Sequence, residues 1–209
     1  MKQENKLDIN NMWEIYKTLL ESTKRKGINN LIKWLDNSDF KVAPASTRYH
    51  NCFEGGLLAH SLNVYNEAIR QKDLIKLFNI PMESIIIASL LHDICKVNYY
   101  CQELRNVKVN GQWVQEPFYK VEDLFPVGHA EKSIIIAMNY IELTDVEVAM
   151  IRNHMGFSKD EPNQVSALFN KYPEALILHN ADMIATYVLE SEGMLENFRE
   201  GLDQYVNHN

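Results

Sequence analysis

Apolar residues recur along most of the chain at helical spacing. Over 9–26, Met12, Trp13, Tyr16, Leu19 and Leu20 fall on one stripe, which predicts a helix with Gly27 as its C-cap. A short helix follows over 31–35. The run FKVAPASTRYHNCFEGG is punctuated by Pro44, Ser46 and Gly55-Gly56 and reads as a loop. A third helix is expected over 57–70. Pro81 then opens a fourth, whose segment ESIIIASLLHDI is apolar nearly all round and belongs at the centre of a core. Helices resume over 129–141 and from the capping box Thr144-x-x-Glu147 to His154, with Gly156 as the stop. A last long helix, starting near Pro173, carries LILHNADMIATYVLE. Strand-like alternation appears in VKVNGQWVQ, on both sides of Asn110-Gly111, a pair that favours a type I′ turn.

The pattern predicts an all-α helical bundle with a small β-hairpin insertion at about 105–119. One domain is expected over 1–209, with N-terminal helices at 8–37, a core at about 40–190 and a weakly amphipathic tail at 193–209. Three aromatic residues near the hairpin, Trp113, Phe118 and Tyr119, are expected to pack it onto the helical body rather than stack on a base.

Composition narrows the function classes. With 46% hydrophobic and 23% charged residues in 209, the chain reads as an ordinary globular domain able to bury its own core. The net charge of −7 and the lack of a Lys/Arg-rich run argue against duplex DNA as a partner. Small anions stay open, because a bound metal can dominate a local field. Cys52, Cys95 and Cys101 are odd in number and form no C-x-x-C pair, which suits free thiols in a reducing compartment. The start, MKQENKLDIN, is polar and predicts no signal peptide; the longest apolar stretch, 85–91, is too short to cross a bilayer. A cytoplasmic location without membrane association is the expectation.

The chemistry lies in the histidines. His92-Asp93 ends the most apolar helix, where a buried ionisable pair needs a partner. A metal ion is one such partner; local helix-end hydrogen bonding accounts for the pair equally well. His60, in GGLLAHSL, is on its own more often a satisfied core residue than a ligand. Asp182, in LHNADMIA, has poor helix propensity and lies three residues after His179, so an acid–imidazole pair without metal also fits. The joint pattern is stronger than its parts: separate helices each place a His or an Asp in an apolar setting, and imidazole with carboxylate suits borderline divalent metals.

The order His60, His92-Asp93, Asp182 resembles the H…HD…D signature of the HD-domain superfamily of metal-dependent phosphohydrolases. The words GGLLAHSL, LLHDICK and LHNADMIAT carry the resemblance, which covers about 40–190. The segment APASTRYHNCFEGGLLAHSL is similar to the HD domain of YhaM-type 3′-to-5′ exoribonucleases, whose preceding OB domain has no counterpart in this sequence. The hairpin segment and GHAEKS resemble a group of uncharacterised bacterial and phage HD proteins. Two departures stand out. Cys95 replaces the glycine of the common HDIGK word, and His154-Met155 stands where some relatives carry two adjacent histidines, which argues against a third ion.

The resemblance implies a dinuclear site. Asp93 would bridge, with His60, His92 and Asp182 on one ion and His129 and His154 on the other. The implied cofactors are two divalent transition-metal ions (Mn, Fe, Ni, Co or Zn), with Mg a further candidate. Asp93 and Lys96 are the implied catalytic residues. Lys96, His50, Arg48, Lys132 and Arg152 are candidates for phosphate contact, and His179 for orienting a ligand. The implied reaction is hydrolysis of a phosphoester or phosphoanhydride by a metal-activated water. The expected substrate is a nucleotide, cyclic nucleotide or short single-stranded oligonucleotide, and the reading leaves room for a homo-oligomer. The alternatives are a di-iron oxygenase of the same fold and a non-catalytic nucleotide-binding sensor.

Overall fold

A computed structural model describes residues 8–47, 51–74, 79–157 and 162–190. Among these, eight helices form the body: α1 (Ile9–Ser22), α2 (Ile28–Asp36), α3 (Gly56–Leu74), α4 (Met82–Leu91), α5 (His129–Met138), α6 (Asp145–Asn153), α7 (Pro162–Lys171) and α8 (Ala175–Ile184). A 3-10 turn, Ile94–Lys96, follows α4, and a π-helical turn, Ala185–Leu189, continues α8. The strands β1 (Tyr100–Val109) and β2 (Gln112–Val121) pair antiparallel as one hairpin. No helix among the described residues is long and apolar enough to cross a membrane.

The nearly uniform apolarity of α4 puts it where the sequence expects, at the centre. Ile85, Ile87, Leu90 and Leu91 have no exposed surface. α3 packs against α4 and α8, and α6 lies against both α4 and α8. α1 packs on α3 and α4, and buried Tyr16 donates its hydroxyl to the Leu90 carbonyl at 2.8 Å. That carbonyl belongs to the last turn of α4, whose terminal acceptors lack helical donors.

Gly27 has a different role from the expected C-cap. The hydroxyls of Ser22 and Thr23 bond back to the carbonyls of Leu19 and Leu20, and α1 stops there. Gly27 instead precedes α2, which starts earlier than the expected 31–35 helix, and takes φ +91°. A Cβ on it would stand 1.9 Å from the Tyr140 carbonyl oxygen. Gly27→Ala should therefore cost about 2–4 kcal/mol through left-handed strain and this backbone clash. Urea unfolding checks it; a loss below about 0.5 kcal/mol would show that the 27–28 turn yields freely.

α6 begins with the expected capping box, Thr144 and Glu147 bonding reciprocally. Sequence reasoning did not see the use the fold makes of it. Arg25 forks onto fully buried Glu147, with Nη2–Oε1 at 2.8 Å and Nη1–Oε2 at 3.0 Å. Its Nε reaches Glu83, and Ser84 donates to Glu147 at 2.8 Å. One guanidinium thus ties the α1–α2 turn to the N-termini of α4 and α6.

Asn110 (φ +50°) and Gly111 (φ +85°) form the two-residue turn the sequence predicts, with Val109 opposite Gln112. The hairpin is longer than 105–119, running from Tyr100 to Val121. It also departs from the expected packing. Trp113 is 70% exposed, and only Phe118 and Tyr119 of the three aromatic residues are half-buried. The register explains this, since Trp113 lies one pair from the turn, at the tip, beyond reach of the helices.

Candidate metal centre

Helix ends deliver most of the site. His92 follows α4, and Asp93 (φ −113°) starts the 3-10 turn. His129 opens α5 behind Gly128, and His154 follows α6. His60 and Asp182 project from within α3 and α8. The structure brings all six together, in two groups: His60, His92 and Asp182, and Asp93, His129 and His154. Within each group the potential ligand atoms lie within 4.8 Å of one another.

Asp93 lies between the groups. Its Oδ1 accepts from His129 Nε2 and lies 3.9 Å from His154 Nε2. Its Oδ2 lies 3.6 Å from both His60 Nε2 and His92 Nε2. His60 Nε2 is 3.2 Å from Asp182 Oδ1 and 3.3 Å from His92 Nε2.

The outer ring nitrogens are tied down. His92 Nδ1 lies 2.8 Å from the Ser89 carbonyl and His154 Nδ1 lies 2.6 Å from the Ile151 carbonyl, each three residues back on its own helix. A carbonyl accepts only, so Nδ1 carries the proton and the Nε2 lone pair faces the cluster. His154 Nε2 is buried and has no hydrogen-bond partner among the described residues. An orphaned lone pair aimed at a carboxylate-rich centre is costly unless a cation meets it. Imidazole nitrogens and carboxylate oxygens are also the donors that borderline divalent ions take. The residues present therefore fit a metal.

The cluster divides its own charge. Burial opposes charging His60, but Glu190 and Asp182 outweigh it and hold its pKa at about 10. Burial likewise opposes charge on His129, and Asp93 raises its pKa to about 10. His92 has too little compensation, so burial pushes it down to about 4, and burial lowers His154 as well. Burial disfavours charge on Asp93, yet Lys96 and the neighbouring imidazoles hold its carboxyl well below the usual range; His60 does the same for Asp182.

Lys96 Nζ sits 2.6 Å from Asp93 Oδ2. Two other expected phosphate contacts, Lys132 and Arg152, are held in ion pairs. Lys132 is nearly buried, ion-paired to Asp123 and set 5.1 Å from the Tyr99 ring centroid. Arg152 pairs with Glu131 at 2.8 Å. Contact with a substrate phosphate would require either residue to exchange partners. Arg48 and His50 lie outside the described residues. His179 Nδ1 bonds the His154 carbonyl at 2.7 Å, and its ring lies so close to Gly156 that a Cβ there would be 2.5 Å from Cε1. Gly156 thus makes room for His179 besides ending α6.

One residue escaped the sequence reading. Glu190 lies 3.0 Å from His60 Nδ1 and accepts from Asn63 Nδ2 at 2.9 Å, forming the carboxylate–imidazole arrangement that orients metal-binding histidines. Its spacing of eight residues from Asp182, about two helical turns, was the available signal. Cys95 Sγ contacts His129 Nδ1 at 3.2 Å, and Ser133 Oγ accepts from the Cys95 amide. The Cys95 side chain therefore abuts a candidate ligand.

A curated protein is similar in sequence to this chain. The chain is 28% identical over 145 residues to a dihydroneopterin 2′,3′-cyclic phosphate phosphodiesterase of Methanocaldococcus jannaschii. The match covers 67% of this chain and 50% of that protein, so it spans about half the relative's length. No protein-family model and no solved structure matches the chain.

Proposed function

We propose that this chain is an HD-type, metal-dependent phosphodiesterase acting on a small nucleotide-like phosphate ester, with a cyclic phosphate the leading substrate class. The His154 Nε2 lone pair, buried beside Asp93 without a hydrogen-bond partner among the described residues, carries the metal part of this reading. The relative's name supplies the bond to be broken. The reading takes the chain as one domain with its core at about 40–190, and the packing of α1 onto α3 and α4 supports including the N-terminal helices.

His60, His92 and Asp182 would hold one divalent ion and His129 and His154 another, with Asp93 shared. Bound there, such ions supply Lewis-acid chemistry: they polarise a phosphoryl oxygen and acidify water at neutral pH. The protein's part is preorganisation. The Ser89 and Ile151 carbonyls fix the tautomers of His92 and His154, and Glu190 fixes His60. Lys96 holds a positive charge against Asp93 at the rim of the cluster. The side chain of His129 is 34% exposed, whereas those of His60, His92 and His154 are 1% or less. Substrate would therefore arrive from the His129 side.

The test is product release, with added Mn²⁺, from dihydroneopterin 2′,3′-cyclic phosphate, 2′,3′- and 3′,5′-cyclic nucleotides, mononucleotides and short single-stranded RNA. Opening of a cyclic phosphate to a monoester is expected. Oxygen consumption with bound iron and no phosphate ester cleaved would replace this reading with the oxygenase. Tight nucleotide binding without turnover would replace it with the sensor.

A further inference from the structure

Beyond its base, the hairpin stands clear of the helices. Residues 102–106 and 108–117 are exposed, including Leu104 at 62%. Two strands alone are marginally stable in water, and open edges invite pairing. The two edges are not alike. Residues flanking a two-residue turn exchange ladder hydrogen bonds, so inward backbone groups alternate from Val109 and Gln112. Pro117, opposite Leu104, then turns its nitrogen outward. It costs no ladder bond and blocks the outer edge of β2. The outer edge of β1 carries neither proline nor bulge. Among the described residues, the outward backbone groups of Gln102, Leu104, Asn106 and Lys108 have no protein partner.

The sequence of that edge, YCQELRNVKV, complements itself. When a second β1 is laid antiparallel with Leu104 opposite Leu104, Glu103 faces Arg105 and Arg105 faces Glu103. Sliding the partner by two residues in either direction sets Glu103 against Glu103 or Arg105 against Arg105, which is unfavourable. The groups are available. Among the described residues Glu103 holds an exposed pair with Lys120, and the Arg105 guanidinium lies over the Phe118 ring at 5.6 Å.

We propose that the outer edge of β1 is a homodimerisation surface: two copies pair β1 to β1 about a two-fold axis at Leu104, forming one four-stranded antiparallel sheet. The paired sheet meets the strand number that independent stability requires and covers Leu104 from both sides. The dimer is isologous, as one edge meeting itself must be. This register also sets Cys101 directly opposite Val107 of the other copy, in a pair without mutual hydrogen bonds, where side chains approach most closely.

The experiment is light scattering coupled to size exclusion on the full chain at roughly 100 µM, a concentration that detects a modest interface. The wild type should be a dimer. Glu103→Arg and Arg105→Glu should each weaken it by roughly tenfold or more, since each turns two attractive pairs repulsive. The combined E103R/R105E chain should regain the dimer. Val107→Cys should form a disulfide-linked dimer under mild oxidation and lose it when Cys101→Ser is added. A monomeric wild type overturns the proposal. So does a dimer indifferent to both charge changes, or one in which Val107→Cys fails to cross-link. Helical circular dichroism should stay unchanged in every variant, because the edge lies outside the body; should a charge variant misfold, the cysteine arm decides by itself.

Discussion

Asp93→Ala should deplete bound metal and abolish turnover together. This carboxylate touches more of the cluster than any other side chain. It contacts Lys96 and His129 directly and lies within 3.9 Å of His60, His92 and His154. The variant removes a carboxylate within 3.9 Å of histidines from both candidate triads and leaves the Lys96 ammonium without this counter-charge. If the cluster holds two ions, at least one should be lost. Losing metal-based charge stabilisation worth several kcal/mol would slow the reaction by roughly 10³-fold or more. Metal content by mass spectrometry and turnover of the substrate found active are the two readouts. Full metal content in Asp93→Ala would reject the bridging role. Lost metal with retained turnover would reject the metal's part in the chemistry.

The second large effect is on stability. Arg25→Ala should cost about 3–5 kcal/mol, because it leaves a fully buried carboxylate unpaired. For a chain of this size that is a drop in Tm of roughly 10 °C. Glu147 has no exposed surface and accepts from Arg25, Ser84 and the Thr144 amide. Burial alone would raise its pKa, but the Arg25 hydrogen bonds and then the Thr144 amide lower it below the ordinary 4.5. A depressed folded-state pKa gives stability that is complete above the unfolded value and lost as pH falls through the folded one. The wild type should therefore lose this contribution progressively below about pH 4.5, while Arg25→Ala should show a weaker acid dependence. Thermal unfolding from pH 3 to 7 measures both. A cost under about 1 kcal/mol would mean that Glu147 hydrates or takes up a proton when Arg25 is removed.

What the sequence made legible was whatever acts over a few residues. The Thr144–Glu147 box, the Asn110-Gly111 turn and the apolar wrap of α4 are local signals, and each lies where its pattern put it. The six candidate ligands were legible for a different reason: ionisable side chains in apolar runs are conspicuous wherever they sit. Arg25 carried no such mark. Its partners lie 58 and 122 residues away, and a lone arginine after a helix reads as surface. Glu190 faced the same obstacle, lying 130 residues from His60. α7 escaped because PNQVSALFNK buries only Val165 and so gives a faint stripe. Gly27 was misassigned because a glycine between two helical patterns serves the end of one or the start of the other. The deciding contact, with Tyr140, lies far along the chain.

The hydroxyl of Tyr16 closes the last turn of α4 two residues before His92. A boundary drawn from the motifs, near residue 40, would discard this phenol along with α1. The working unit of the centre is therefore larger than the stretch bearing its signature. A shortened chain could keep every candidate ligand and still let the terminal turn of α4 unwind, swinging the imidazole of His92 out of register. The first helix is in this sense a brace for the candidate centre, and grafting that centre elsewhere would require carrying the brace along.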